Sequence, residues 1–121
     1  MTSVKAQRAP GGEAAAAAVT RLIEMSADLR GCAVLDREGR ALAASGDSDG
    51  WGSAGGALIA AADEAGDEPA SHVHVATEDG EAFAVRHEGL VMVAVAERFT
   101  LASLMIFDMR AVLRDLAKDG G

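Results

Sequence analysis

The chain holds three histidines, His72, His74 and His87, and their spacing is the first place to look for chemistry. His72 and His74 alternate within HVHVAT, so both project to the same side of a strand. A two-residue turn at Asp79-Gly80 pairs Glu78 with Glu81 and sets His72 opposite His87. Three imidazoles on one face are a set that zinc would accept. The same face also carries Phe83 and Val85, and beyond Glu88 nothing supplies an evident carboxylate to orient a ligand. Packing is therefore the expected work of that face, with metal binding by His72, His74 and His87 left open.

Other constellations give less. Gly50-Trp51-Gly52-Ser53-Ala54-Gly55 matches GxGxxG between a strand and a helix, the placement a dinucleotide fingerprint requires. The later strands come as hairpins rather than strand–helix repeats, so this segment reads as a loop in a chain with 14 glycines. Cys32 is the single cysteine, which excludes an internal disulfide and a thiolate zinc site. No GxSxG elbow accompanies the serines. The acidic pairs Asp63-Glu64 and Asp67-Glu68 read as a solvated helix end, since acid–base work needs burial to shift a pKa. The expectation is a protein without a catalytic constellation or cofactor.

Composition narrows the partners. With 121 residues, half of them hydrophobic, the chain suits one globular domain. Nineteen acidic against 11 basic residues leave a net charge of −8, which repels phosphate backbones and argues against nucleic acid. The apolar stretch Ala14 to Thr20 is far shorter than the ~20 residues of a membrane span, so no membrane insertion is expected. The first 12 residues lack the apolar core of a signal peptide, and a reducing cytoplasm is the expected compartment.

The elements that must position these residues follow from periodicity. Residues 1–12, with Pro10, Gly11 and Gly12, read as a disordered arm, the domain as 13–118, and 119–121 as a flexible C-terminus. Ala15, Ala18, Leu22, Met25 and Leu29 recur at helical spacing and predict a helix over 13–29, with Arg30 and Gly31 ending it. Strands over 32–35 and 41–44 flank the turn Asp36 to Gly39. A second helix over 53–65 is nearly all Gly and Ala around Leu58 and Ile59; so poor a helix must gain its stability from contact. Gly56 and Ala60, four residues apart, would let another helix approach closely. Strands over 72–77, 82–86 and 90–96 follow, the last apolar throughout and so expected at the sheet centre, covered on both faces. The order α-β-β-α-β-β-β-α predicts one mainly antiparallel five-stranded sheet with three helices, an α/β sandwich of profilin-like type.

The last helix, expected over 100–118, carries the sharpest surface signal. Leu101, Met105, Met109, Val112 and Leu116 form its buried stripe, and Ser103, Arg110, Arg114 and Lys118 the opposite one. Phe107 lies in the middle of that polar stripe. With Arg110 and Arg114 beside it, Phe107 is a candidate partner anchor, because aromatic and Arg residues are enriched at binding hot spots.

The hairpin GCAVLDREGRALAAS, the Gly/Ala helix after it and HVHVATEDGEAFAVRHEGLVMVAVAERF together resemble the roadblock family of dynein light-chain-like domains. The resemblance covers roughly residues 20 to 117. It implies one antiparallel sheet of five strands, the middle helix on one face and the terminal helices on the other. It also implies a homodimer, or a heterodimer with a similar domain, joined through the middle helix and the following strand. In this chain that interface involves Leu58, Ile59 and Ala62 with His72 and His74. The implied function is a non-catalytic regulatory or scaffold protein acting on a Ras-like small GTPase. The alternative is a metal- or ligand-sensing domain of PAS, GAF or profilin-like architecture, which would need an enclosed cavity.

Overall fold

The apolar run Leu90–Ala96 forms the middle strand of a five-stranded antiparallel sheet. The computed structural model describes residues 11–45, 71–76, 78 and 80–120. Within them the elements are α1 (Gly12–Met25), β1 (Leu29–Leu35), β2 (Ala41–Ala44), β3 (His72–Ala76), β4 (Glu81–His87), β5 (Leu90–Ala96) and α2 (Ala102–Gly120). The strands lie in the order β2-β1-β5-β4-β3, every neighbouring pair antiparallel. Two of the three expected helices are present among the described residues; the expected helix over 53–65, with Leu58, Ile59 and Ala62, lies outside them.

α1 and α2 pack on the same face of the sheet. Ala15, Ala18, Val19 and Leu22 of α1 meet Met105, Met109, Val112, Leu113 and Leu116 of α2 over Cys32, Val34, Phe83, Val85 and Met92. The opposite face buries a smaller cluster, Ala33, Leu35, Ala84 and Val93. β5 thus contributes buried side chains to both faces, as a run without polar alternation must.

Three boundaries differ from the periodicity. α1 stops at Met25 and not at Leu29: Ser26 turns extended, its N–H still bonding the Leu22 carbonyl at 3.2 Å. Leu29 and Arg30 belong to β1, so Gly31 pairs with Val95 in the sheet and does not end a helix. Ladder pairing along β5 outweighs the helical spacing that runs on through Leu29. α2 begins at Ala102 and continues through Gly120.

Two turns are built by identifiable residues. In the β1–β2 hairpin the Asp36 carboxylate accepts the backbone N–H groups of Glu38 and Arg40, both at 2.9 Å, and Gly39 takes φ +86°. Between β4 and β5 a two-residue loop, Glu88-Gly89, has φ values of +48° and +84°. Positive φ at both loop positions is the requirement of a type I′ hairpin, whose twist matches that of the strands.

The β3–β4 connection is the main correction. Ala76 pairs with Glu81, so four residues join the strands and Glu78 does not face Glu81. His72 consequently stands opposite Val85, and His74 opposite Phe83, not in register with His87. Gly80 serves a close approach to β5 instead of a tight turn: a Cβ there would lie 2.6 Å from the Ala96 carbonyl oxygen.

Candidate functional site

The histidines separate once the register is known. The His74 ring stacks on Phe83, with centroids 4.6 Å apart and planes 7° from parallel. Its Nε2 lies 2.6 Å from a carboxylate oxygen of Glu81, which is buried. His72 meets α2 instead, and its Nδ1 receives a hydrogen bond of 2.7 Å from the Arg110 guanidinium. A guanidinium only donates, so Nδ1 is the acceptor and the ring proton sits on Nε2. His87 is beside Glu88, at 3.7 Å. Among the described residues no three His, Cys, Asp or Glu side chains gather as a metal set. His74 thus lies against Phe83 and Glu81 and not in a metal set. Periodicity gave no sign of Glu81, because the expected register placed it opposite Glu78.

Cys32 is fully buried, and its Sγ donates weakly to the Val19 carbonyl at 3.7 Å. Burial pushes its thiol up to about 11, so it behaves as the small apolar residue its strand suggested. Two surface carboxyls move the other way. A hydrogen bond from Arg21 lowers Asp115 and ties α1 to α2, while one from Arg30 lowers Glu97 beside β1. Both are ordinary surface ion pairs.

The open face of α2 is the remaining concentration of unusual groups. Ser103, Arg110, Arg114 and Lys118 are exposed, and Phe107 among them is 68% exposed. Arg110 is partly engaged, donating to His72 and, at 3.2 Å, to the Ser71 hydroxyl. Two departures from the expected stripe enlarge this face. Leu101, placed by spacing in the core, is 65% exposed because it precedes the helix and only lends its carbonyl to the Met105 N–H. Leu113, which the stripe omitted, is fully buried in its stead. Leu104 is 54% exposed, so Leu101, Leu104 and Phe107 form an apolar ridge at three-residue spacing.

Phe99 extends it. It is 85% exposed and holds φ +65°, a left-handed conformation that is an outlier for a bulky residue. The Arg98 guanidinium sits 4.8 Å from its ring centroid, and the Thr100 hydroxyl donates to the Glu97 carbonyl at 2.6 Å, both bracing the loop. The sequence reading missed Phe99, Leu101 and Leu104. The i, i+3 recurrence of Leu101, Leu104 and Phe107 was the available signal, masked by counting Leu101 as core; nothing comparable marked Phe99.

Strand β3 is the second open feature. It closes one edge of the sheet, and His72, His74, Val75 and Ala76 are exposed. Among the described residues no helix is long and apolar enough to cross a membrane.

No family model and no curated protein matches the sequence. Solved structures do match the fold. A Roadblock/LC7 domain from Streptomyces avermitilis is similar with a TM-score of 0.74 at 15% identity, over 84% of this chain and 92% of that one. MglB of Myxococcus xanthus gives 0.71 at 14% identity, over 88% and 87%. A Schizosaccharomyces pombe profilin gives 0.63 at 15% identity, over 88% and 99%. These likenesses answer the question of architecture: the chain has the roadblock fold, in a form that profilins share.

Proposed function

We propose that this protein is a non-catalytic regulatory or scaffold subunit that holds a protein partner on the open face of α2, in a cytoplasmic setting. The observation that carries the proposal is the exposure of two of the chain's three phenylalanines, Phe99 and Phe107, with Leu101 and Leu104 between them. Large apolar groups gathered on one surface mark interaction sites more often than isolated ones do. Arg110 and Arg114 continue the same face and give it a positive end in a molecule of net −8. The partner class, a Ras-like small GTPase, comes from the roadblock resemblance, which the fold supports.

Pairing with a second copy or a similar domain is part of the reading. The exposed edge of β3 is an aggregation hazard unless another strand covers it, and an isologous contact covers two such edges at once. His72 and His74 then lie at the contact.

The test compares purified wild-type protein with the Leu104→Glu and Phe107→Glu variants as baits for cell lysate. Capture of a GTP-binding protein by wild type, and its loss from both variants at unchanged Tm, supports the reading. Identical captures by all three baits would overturn the surface. Sedimentation at micromolar concentration addresses pairing: a dimer that Val75→Lys dissociates is expected, and a monomeric wild type removes that part of the proposal.

A further inference from the structure

A concavity of about 220 Å³ opens between the end of β4 and the middle of α2, lined by Ser71, Arg86, His87, Arg110 and Arg114. Arg86 and His87 close β4, and Arg110 and Arg114 stand one helical turn apart on α2. Ser71 is drawn in because its carbonyl accepts the Arg86 N–H at 2.9 Å. Three guanidinium groups therefore line one small cavity of a chain whose net charge is −8. Among the described residues two acids adjoin the lining: Glu88, 3.7 Å from His87 and largely exposed, and Asp115, whose carboxyl feels the Arg114 charge.

We infer that this cavity is an oxyanion-binding site, taking one compact phosphate, sulfate or carboxylate group. Guanidinium carries its donors in a planar fork that matches the paired oxygens of such groups. Arg110 is positioned before any ligand arrives, held by the His72 ring at 2.7 Å and the Ser71 hydroxyl at 3.2 Å. Less side-chain freedom is then lost on binding. At about 220 Å³ the concavity has room for a single oxyanion. The group can be free in solution or the terminus of a partner's acidic side chain. The site stands on its own lining and does not depend on a partner at Phe107.

The experiment is a titration of the isotope-labelled full chain at pH 7, following backbone amide signals. Sodium phosphate, sodium sulfate and sodium acetate are each added against sodium chloride of matched ionic strength. Saturable shifts at Ser71, His87, Arg110 and Arg114, weakened roughly tenfold or more in Arg114→Ala, are the expected result. Binding of acetate as well as phosphate identifies a carboxylate-type ligand; binding of the tetrahedral ions alone identifies phosphate or sulfate. Shifts no different from those in chloride, or an affinity unchanged in Arg114→Ala, overturn the inference. If Arg114→Ala fails to fold, Arg114→Lys replaces it, keeping the charge but losing the fork: weaker binding supports the site, and unchanged binding refutes it.

Discussion

Met109 and Phe107 lie two residues apart on α2, yet one is fully buried and the other mostly exposed. The inner face of this helix obeys the ordinary rule that apolar groups at helical spacing leave water, and Met105, Met109, Val112, Leu113 and Leu116 all meet α1 or the sheet. The outer face breaks that rule with Leu101, Leu104 and Phe107. Nothing in the core requires those side chains. The contrast separates residues that make the fold from residues available to another molecule.

Substitutions on the two faces should therefore differ in kind. Leu113→Ala removes a fully buried side chain and is expected to destabilise by about 2–5 kcal/mol in urea unfolding. Leu101→Ala should stay within about 0.5 kcal/mol. Equal losses for the two leucines would erase the distinction between the faces.

A second measurement takes the same contrast to binding. Phe107→Ala should leave stability within about 0.5 kcal/mol while weakening partner affinity by about 2 kcal/mol or more. A stability loss near 3 kcal/mol, typical of a core aromatic, would instead place Phe107 in the fold.

The inner face can also be probed through Cys32, whose thiol is raised from an ordinary value of 9.0 to about 11. A raised folded-state pKa leaves its contribution intact below the unfolded value and removes it as pH climbs through the folded one. Stability should thus decline between pH 9 and about 11, and a Cys32→Ala variant should show a shallower decline. Identical alkaline profiles would contradict the burial of this thiol.

The smallest effect belongs to the contact between the helices at the surface. Arg21→Ala breaks the 2.8 Å bond to Asp115, but both partners are about half exposed. The expected change is about 0–1 kcal/mol, shrinking further in high salt. A larger loss would mean that this pair, and not the apolar seam beneath it, fastens α1 to α2.

Much of this was legible in the order of residues. The central place of Leu90–Ala96, the Asp36–Gly39 turn and the exposure of Phe107 all follow from local pattern, because each depends on neighbours within a few positions. The failures have other causes. The end of α1 is set by β1 pairing with β5, far along the chain, and the register of β3 by the length of the connection to β4, which the Asp79-Gly80 pattern misstates. The histidine face inherited that error, since a connection two residues longer slides His72 from His87 to Val85. The arginine cavity escaped notice because Ser71, Arg86 and Arg110 meet only after folding.

The Glu88-Gly89 loop has a consequence in time as well as in shape. β4 and β5 are joined by two residues already disposed for the strand twist, so their hairpin closes on the microsecond scale of isolated hairpins. β1 reaches β5 across a far longer span, as the contact between Arg30 and Glu97, 67 positions apart, shows. Closing that span costs chain entropy before its contacts return any gain. The C-terminal hairpin with α2 is then the expected nucleus, and the arrival of β1 the late event. Changes at Val85 or Met92 should slow refolding, whereas changes at Val34 should chiefly hasten unfolding.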